Sequence, residues 1–469
     1  MDKNGNGFSR REFLRAIGGT ALGGIILSAC GEKTPPAGST SVGAALPGSG
    51  PPAGLGGRPA ALPNGYRFFK IFTPKGPVLG PVSALTPGVM LNDRAEVVFY
   101  APNKAGGYGL YELELDMDPS KPAIRRSREI IATGTVLADR RRVDNIVRAD
   151  VNAQGSIAAV LGTEGDGRPE TARQALSGVY VERERRGFAS VARYGQGIPG
   201  VDAKFGGHFG DIALNDNGQL LMVAHYMGKM QPQPGLFHLR DGANAPFQLV
   251  IEAEAAVPAS KGIIQSFGLI DFDEDGGYVS QAFGDEPQRA LQSLDRGDTD
   301  ATHESFAVVG NVTAPRQSFN LAAASTRLVA PARKSGAVYM GPRVGARGVT
   351  ALITHPDDAT MVLWLGDVKV EETGQPSPGG GKVAAISAPV LGKDLLMYYL
   401  LYTEQALELC VSNGTERRVI LRTGDRIDGQ AIANIVHGYH SDQVDKDGRI
   451  VFYAELEKGG QAIVLGIPV

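Results

Sequence analysis

A short turn signal recurs seven times along the chain, and it constrains the fold more than any other feature of the sequence. Its clearest form is an Asn or Asp, two further residues, a Gly and then an apolar run of strand-forming residues. Asn and Asp favour the start of a tight turn, and glycine takes the positive φ that the turn requires. Each signal therefore predicts a β-hairpin, and the repetition predicts an array of similar hairpins.

Five copies of the signal are clear and two are degenerate. The clear copies are Leu91–Tyr100, Val151–Ala159, Leu214–Met222, Phe272–Val279 and Val444–Phe452, and the degenerate copies are Ala323–Val329 and Pro389–Leu396. The first copy has Ala95 where the others have glycine. A second signal of Gly, an apolar residue and an aromatic residue follows several copies, as in Gly109–Tyr111 and Gly178–Tyr180. The repeating unit therefore has about four short strands, which is the content of one propeller blade.

Seven four-stranded units predict an all-β fold, a seven-bladed β-propeller, and the degenerate copies leave six or eight blades open. Beyond the apolar run after the N-terminal arginines, no stretch has the 3.6-residue periodicity of an amphipathic helix. The last unit ends after Ala462–Leu465 without an outer strand, and Tyr66–Phe72 precedes the first turn. We therefore expect the first strand of the domain to complete the last blade, which leaves few exposed edges.

This repeat resembles a bacterial tandem-repeat family with an Asn-x-x-Gly-x-x-Ala-Phe motif, found in exported and surface-anchored proteins. The resemblance covers most of residues 72–469, although Asp273 and Asp445 replace the asparagine of the motif. It implies a propeller outside the cytoplasm and no particular activity.

The N-terminus carries two export motifs in the order that a bacterial lipoprotein requires. Ser9–Arg15 contains Arg10 and Arg11 and resembles the twin-arginine signal. Leu27–Cys30 resembles a lipobox, in which Cys30 receives the lipid. The intervening run is too short and too rich in glycine for a membrane span.

These motifs predict three regions. Residues 1–29 form a twin-arginine lipoprotein signal peptide, residues 30–64 form a lipidated, disordered tether rich in Pro, Gly, Ser and Ala, and residues 65–469 form the propeller. The expected partners are the membrane, the twin-arginine export machinery and the lipoprotein-processing enzymes. The protein is expected on the extracytoplasmic side of a bacterial membrane. Because Gly31 follows Cys30, an outer membrane or cell surface is favoured if the cell has two membranes.

Polar residues in the strands before each turn are predicted to face the central channel. They are Arg148, Asp150, His208, Asp211, Asp271, Ser318, Asn320, His437, His440 and Asp442. Histidines and carboxylates gathered from several blades could perform acid–base work or bind a metal. Of these, His208, Asp211, Asp271, His437 and His440 are the catalytic candidates, although polar side chains in a wet channel need no function.

One segment has the spacing of a calcium loop. Asp271, Asp273 and Asp275 alternate before Gly276, which is how carboxylates converge on a hard cation. The twelfth position of such a loop is Ala282 rather than Glu, and Asp273 and Gly276 also fit the repeated turn. We therefore expect no cofactor, with Ca²⁺ or another metal as the alternative.

Charge and motif content narrow the function. The formal net charge is -3 and the Arg-rich runs at 125–126, 140–142 and 183–186 interleave with acidic residues, so we expect solvated edges and no nucleic-acid partner. The sequence has no nucleophile elbow, zinc-protease motif, phosphate loop or dinucleotide fingerprint.

The favoured function is therefore a non-enzymatic envelope lipoprotein that binds an unknown envelope protein or ligand. The alternative is an exported propeller enzyme, a metal- or quinone-assisted hydrolase or oxidoreductase with its site in the channel.

Overall fold

The structure is a computed structural model of the chain. It describes residues 60–74, 84–103, 107–118, 120–163, 176–182, 185–198, 201–227, 232–240, 247–257, 263–284, 302–316, 318–328, 341–345, 348–355, 360–438, 440 and 442–469. The predicted signal peptide, Cys30 and nearly all of the predicted tether lie outside these residues. Within them there is no α-helix, and so no helix long and apolar enough to cross a membrane.

In the described part of the chain, thirty strands form seven antiparallel sheets, which we call blades 1 to 7 in chain order. The strand β1 (Tyr66–Phe72) precedes blade 1. Blade 1 contains β2 (Val89–Leu91), β3 (Glu96–Pro102), β4 (Tyr108–Asp116) and β5 (Ala123–Ala132). Blade 2 contains β6 (Val143–Val151), β7 (Ile157–Thr163), β8 (Leu176–Glu182) and β9 (Phe188–Arg193). Blade 3 contains β10 (Lys204–Leu214), β11 (Leu220–Met227), β12 (Pro232–Leu239) and β13 (Phe247–Glu252).

The remaining blades follow the same order. Blade 4 contains β14 (Ser266–Phe272), β15 (Gly277–Phe283), β16 (Thr302–Asn311) and β17 (Phe319–Leu328). Blade 5 contains β18 (Arg343–Val344), β19 (Thr350–Thr354), β20 (Val362–Leu365) and β21 (Val368–Glu372). Blade 6 contains β22 (Val383–Ile386), β23 (Val390–Leu391), β24 (Met397–Thr403), β25 (Leu407–Ser412) and β26 (Arg417–Arg422). Blade 7 contains β27 (Arg426–Ile427), β28 (Gln430–Val436), β29 (Ile450–Leu456) and β30 (Gly460–Pro468), with β1 at its outer edge.

The seven sheets form a ring, so the predicted seven-bladed propeller is confirmed. Inner strands of neighbouring blades contact one another, as β10 does with β6 and β14. These inner strands therefore surround a central channel. Hydrophobic clusters fill the junctions between blades, and the cluster between blades 4 and 5 is the smallest of them.

The N-terminal strand closes the ring, as the sequence predicts. The strand β1 pairs antiparallel with β30, in a register that joins Tyr66 to Pro468 and Lys70 to Val464. The Tyr66 hydroxyl lies 2.9 Å from the Tyr398 hydroxyl and donates to the Gly448 carbonyl at 3.1 Å. Blade 7 is thus built from both ends of the propeller, and its outer strand is held by blade 6 as well.

The repeated signal marks the turn between the first two strands of a blade. In blade 2, the Asn152 N–H donates to the Ser156 carbonyl at 3.0 Å, and the Asn152 side-chain oxygen accepts from the Ser156 N–H at 2.9 Å. The fourth residue has a positive φ in all seven turns. These residues are Ala95, Gly155, Gly218, Gly276, Gly348, Leu395 and Gly448. We call the side of the ring that carries these turns the turn face.

One of the seven predicted copies is misplaced. The segment Ala323–Val329 was expected to hold the fifth turn, but residues 323–328 belong to β17, the outer strand of blade 4. The turn of blade 5 lies at Gly345–Val349, where the Gly345 N–H donates to the Val349 carbonyl at 2.8 Å. Glycine replaces Asn at the first position of this turn, which hid it from the pattern. The sixth turn, Gly392–Leu396, does lie within its predicted copy.

The second signal marks the third strand of a blade and has a steric cause. A Cβ atom at Gly109 would lie 2.8 Å from the Tyr111 ring, and one at Gly235 would lie 2.9 Å from the Phe237 ring. The glycine therefore leaves room for the aromatic ring two residues later on the same side of the strand.

Blades 1 and 2 are joined by buried ion pairs. Arg128 contacts Glu112 at 2.8 Å and Glu182 of blade 2 at 2.7 Å. From blade 2, Arg185 contacts Glu96 at 2.6 Å and Glu112 at 2.8 Å. The expectation of a solvated edge is therefore wrong for Arg185, because the three glutamates that these arginines contact are buried.

Candidate functional site

Three aspartates of the inner strands, all predicted to face the channel, connect neighbouring blades. Asp150 accepts a hydrogen bond from the Leu214 N–H at 2.7 Å, and Asp211 accepts one from the Ile270 N–H at 3.0 Å. Asp271 accepts one from the Val344 N–H at 2.8 Å. Each carboxylate thus reaches the inner strand of the next blade, from blade 2 to blade 5. The structure gives Asp150 and the two catalytic candidates Asp211 and Asp271 a role in holding the blades together.

A carboxyl pair links blade 2 to blade 7. Asp150 and Asp442 share a side-chain hydrogen bond; Asp150 is buried and Asp442 is partly buried. Desolvation raises the pKa of Asp442 well above its usual range, and the Asp150 charge raises it further. A hydrogen bond between two carboxyl groups requires a proton on one of them, which the raised pKa of Asp442 favours. The backbone carbonyl of Asp442 also accepts a hydrogen bond from the Leu91 N–H of blade 1 at 2.6 Å.

Two arginines enter the same cluster. Arg148 Nε lies 2.8 Å from Asp211 Oδ1, which forms an ion pair between blades 2 and 3. Arg343 of β18 is 1% exposed, so its charge is buried. Burial raises the pKa of Asp271 to about 6, and the Arg343 charge opposes that rise. No ion pair shorter than 4 Å joins Asp271 to Arg343 in the described part of the chain.

His437 and His440 come from the segment 437–443, which extends the inner side of blade 7 between β28 and β29. Burial lowers the pKa of His437 to about 3, and the Arg343 charge lowers it further. His440 stacks on Tyr100 of blade 1, with ring centroids 6.0 Å apart. Burial also lowers the pKa of His440 well below its usual range. Both imidazoles are therefore neutral at physiological pH.

His208 does not join this cluster, and two other candidates are not in the channel strands. His208 is exposed, and its ring lies 4.8 Å from that of His225 on β11. Asn320 belongs to β17, and Ser318 directly precedes that strand. The prediction for Ser318 and Asn320 is wrong because the fifth turn was misplaced; the inner strand of blade 5 is β18.

Lys393 reaches carboxylates of several blades at the turn face. It occupies the second position of the blade 6 turn, and its ammonium group contacts Asp93 at 2.9 Å. It also forms a salt bridge with Asp216 and lies 3.9 Å from Glu274. The carboxylates come from the second positions of the turns of blades 1, 3 and 4. Lys393 therefore joins four blades at one mouth of the channel.

The predicted calcium-loop residues have separate roles. Asp273 Oδ1 accepts hydrogen bonds from the Asp275 N–H at 3.0 Å and the Gly277 N–H at 2.6 Å, as the first residue of the turn. Asp271 lies in the channel, and Asp275 is exposed. Within the described residues, no three His, Cys, Asp or Glu side chains are arranged to hold a metal ion. The spacing is thus explained by the hairpin turn.

Sequence reasoning missed Arg343 and Lys393. Arg343 stands two residues before Gly345, just as Asp150 stands two before Asn152 and Asp271 two before Asp273. The correct fifth turn would have revealed Arg343. Lys393 lies in the sixth copy, at the second position of the turn. Acidic residues stand at that position in the turns of blades 1, 3 and 4, so the sequence contained a signal for this contact.

The face opposite the turn face carries exposed apolar side chains, which we call the apolar arc. Its members lie in or beside the connections of blades 1 to 4. They are Tyr108, Val136, Tyr194, Met227 and Ile263, each at least 41% exposed. Arg193 and Arg141 lie beside them, and both contact Asp139. Aromatic, Met and Arg side chains are enriched in protein interfaces.

A family model describes part of this chain. Residues 83–239 match a family of unknown function, DUF7453. The match covers blades 1 and 2 and the first three strands of blade 3. No curated protein matches the chain.

Several solved structures are similar to the chain over most of its length. The Dos1 propeller is 9% identical, and the alignment covers 86% of this chain and 95% of that one, with a TM-score of 0.41. A protein of unknown function from Dyadobacter fermentans is 12% identical, with coverage of 86% and 98% and a TM-score of 0.36. The polysaccharide lyase Uly1 is 10% identical, with coverage of 82% and 90% and a TM-score of 0.41.

Proposed function

We propose that the protein is an exported, lipid-anchored propeller that binds a protein partner at the cell envelope through the apolar arc. Arg10 and Arg11 direct export and Cys30 carries the lipid in this proposal, which rests on the sequence motifs. Two or more acyl chains give a firm anchor. The propeller supplies the binding surface.

The position at which the chain enters the propeller carries the proposal. The Ala60 carbonyl accepts a hydrogen bond from Asn413 Nδ2 at 2.9 Å, in the hairpin that joins β25 to β26. Leu62 packs against the core of blades 6 and 7. The segment that leads from Cys30 therefore reaches the domain at the turn face. The apolar arc lies on the opposite face, away from the point of attachment.

The channel supports a binding protein over the alternative of a channel enzyme. Asp150, Asp211 and Asp271 use carboxylate oxygens to hold backbone N–H groups of the next blade. Lys393 likewise uses its ammonium group in salt bridges to Asp93 and Asp216. A general acid or base must exchange a proton with the substrate, and groups already engaged between blades are less available for that exchange.

The anchor is tested by fractionating cells that express the full chain with its own signal. The wild type is expected in the membrane fraction with the mass of a lipidated Cys30. The Cys30→Ala variant is expected to lose the lipid, and the Arg10→Lys, Arg11→Lys double variant is expected to stay in the cytoplasm. A wild-type chain without lipid would contradict the anchor.

The binding face is tested by a photo-crosslinking residue placed at Tyr194 in the anchored protein. Val469 is the matched control, because it is 58% exposed and lies at the turn face beside Gly65. We expect one defined protein adduct from position 194, lost in a Val136→Asp background, and none from position 469. Equal labelling from both positions would contradict the proposal.

A further inference from the structure

Arg343 is a buried cation with unused hydrogen-bond donors. Its side chain is 1% exposed, and its Nη1 donates to the carbonyl of the preceding Pro342 at 3.1 Å. Its Nε and Nη2 have no hydrogen-bond partner in the described part of the chain. A buried charge with unpaired donors is strongly destabilising, as is a buried ion pair that has lost one partner. Such a group points to a missing acceptor.

The two free nitrogens lie on one edge of the guanidinium group. The Nε–H and one Nη2–H bond of arginine are parallel, and they form the fork that binds two oxygens of a carboxylate or similar anion. A single acceptor atom would satisfy only part of this edge. The free edge therefore selects an oxyanion with two oxygens in one plane.

His437 offers a further donor in the same region. It is 4% exposed, and neither of its ring nitrogens has a hydrogen-bond partner in the described residues. The Arg343 charge acts on the pKa of His437, so the two groups lie within electrostatic reach. A neutral imidazole carries one N–H that can donate to an anion.

The carboxylates among the described residues leave the Arg343 edge free. Asp271 accepts from the Val344 N–H, Asp211 pairs with Arg148, and Asp150 shares a hydrogen bond with Asp442. Burial already raises the pKa of Asp271 to about 6, so Asp271 can take up a proton when an anion arrives. Proton uptake offsets the added negative charge, which favours a small anion with a single charge.

We propose that Arg343 and His437 bind one small carboxylate anion inside the channel. The bound anion accepts two parallel hydrogen bonds from the Arg343 Nε and Nη2 and one from His437. This site is independent of the apolar arc and of the lipid anchor. Arg343 occupies the same position in the inner strand of blade 5 that Asp150 and Asp271 occupy in blades 2 and 4.

The experiment is calorimetric titration of the purified full chain with sodium acetate at constant ionic strength. Acetamide, which has the same shape without the charge, and sodium chloride are the control ligands. We expect one acetate per chain and no comparable heat from either control. Acetate should bind Arg343→Lys at least tenfold more weakly, because lysine keeps the charge but lacks the fork.

Two further variants complete the test. Arg343→Met should abolish acetate binding, and Arg126→Met, at an exposed arginine, should leave it unchanged. Because Arg343→Met removes a buried charge and can misfold, the wild type and Arg343→Lys decide the outcome alone. No saturable acetate binding to the wild type, or equal binding to Arg343→Lys, would overturn the proposal.

Discussion

A buried aspartate that accepts a backbone N–H can be replaced by asparagine without losing that acceptor. Asp271 is such a group, since its oxygen faces the Val344 N–H. Charges of both signs surround it. Arg343 on β18 lowers the pKa of Asp271 and Asp150 on β6 raises it, and Asp442 lies within electrostatic reach. Burial dominates these charges and raises the pKa of Asp271 to about 6. Asp271 therefore makes the stability of the propeller depend on pH.

We predict that Asp271→Asn removes a loss of stability that the wild type shows between about pH 4 and pH 6. Over this range the unfolded Asp271 releases its proton while the folded one keeps it, so stability falls as pH rises. The pKa shift of Asp271 corresponds to about 3 kcal/mol. By pH 7, the free energy of unfolding of Asp271→Asn should have gained this amount relative to the wild type. Urea unfolding at each pH measures it.

The exposed Asp275 supplies the control for this prediction. Asp275→Asn makes the same chemical change at an exposed position outside the channel, and it is unfolded in urea beside Asp271→Asn at each pH. A stability difference between Asp271→Asn and the wild type that stays constant with pH would contradict the prediction.

The sequence located several channel residues but not their contacts. Asp150, Asp211, Asp271, His437 and His440 were found because each lies near a turn with a clear signal. The hydrogen bonds of the three aspartates run to strands of the next blade, as from Asp271 to Val344, and strand spacing carries no information on such contacts. Arg343 was missed because its turn begins with Gly345 instead of Asn.

Turns are the elements in which local sequence and packing between blades meet. Gly155 has a φ of +76°, and a Cβ atom there would lie 2.6 Å from Glu96 Oε2 of blade 1. Glu96 cannot move easily, because Asn92 and Arg185 hold its carboxylate at 2.7 Å and 2.6 Å. Gly187 has a φ of +87° and nothing within 4 Å.

We predict that Gly155→Ala destabilises the protein more than Gly187→Ala does. Both variants pay about 1 kcal/mol for the left-handed backbone. Only Gly155→Ala also displaces Glu96, which adds about 1 kcal/mol or more for overpacking. The measurement is the free energy of unfolding of each variant. Equal values would show that Glu96 of blade 1 moves aside at little cost.

Five of the seven turns could be predicted because an Asn or Asp side chain caps each of them. In blade 6, Gly392 takes the first position and Leu395 the positive φ of 64°. Tertiary packing stabilises that turn against local preference, so its signal is weak. The turn of blade 5 also begins with glycine and has a weak signal. Its position was therefore predicted wrongly, within residues that belong to β17.

Closure of the ring is a property of the whole molecule and depends on β1. Tyr66 contributes hydrogen bonds to Tyr398 of blade 6 and to Gly448 in the turn of blade 7. Its ring lies 5.9 Å from that of Phe68, which packs on Phe452. The first strand thus attaches at several points along two blades.

We predict that Tyr66→Phe lowers the free energy of unfolding by about 1 kcal/mol or more, because the hydroxyl of the buried Tyr398 loses its partner. Tyr108→Phe is the control, since Tyr108 is 41% exposed. Chemical unfolding of both variants measures the difference. An effect of Tyr66→Phe no larger than that of the control would show that the aromatic packing alone holds β1.

The pairing of β1 with β30 also sets the order of events during synthesis. The strand β1 leaves the ribosome before every blade, and its partner β30 emerges after all the others. Blades can form one after another during translation, but the ring stays open until β30 appears. A chain interrupted earlier keeps an unpaired strand edge, which invites aggregation or proteolysis. In the export that we propose from Arg10 and Arg11, ring closure would therefore come before the chain leaves the cytoplasm.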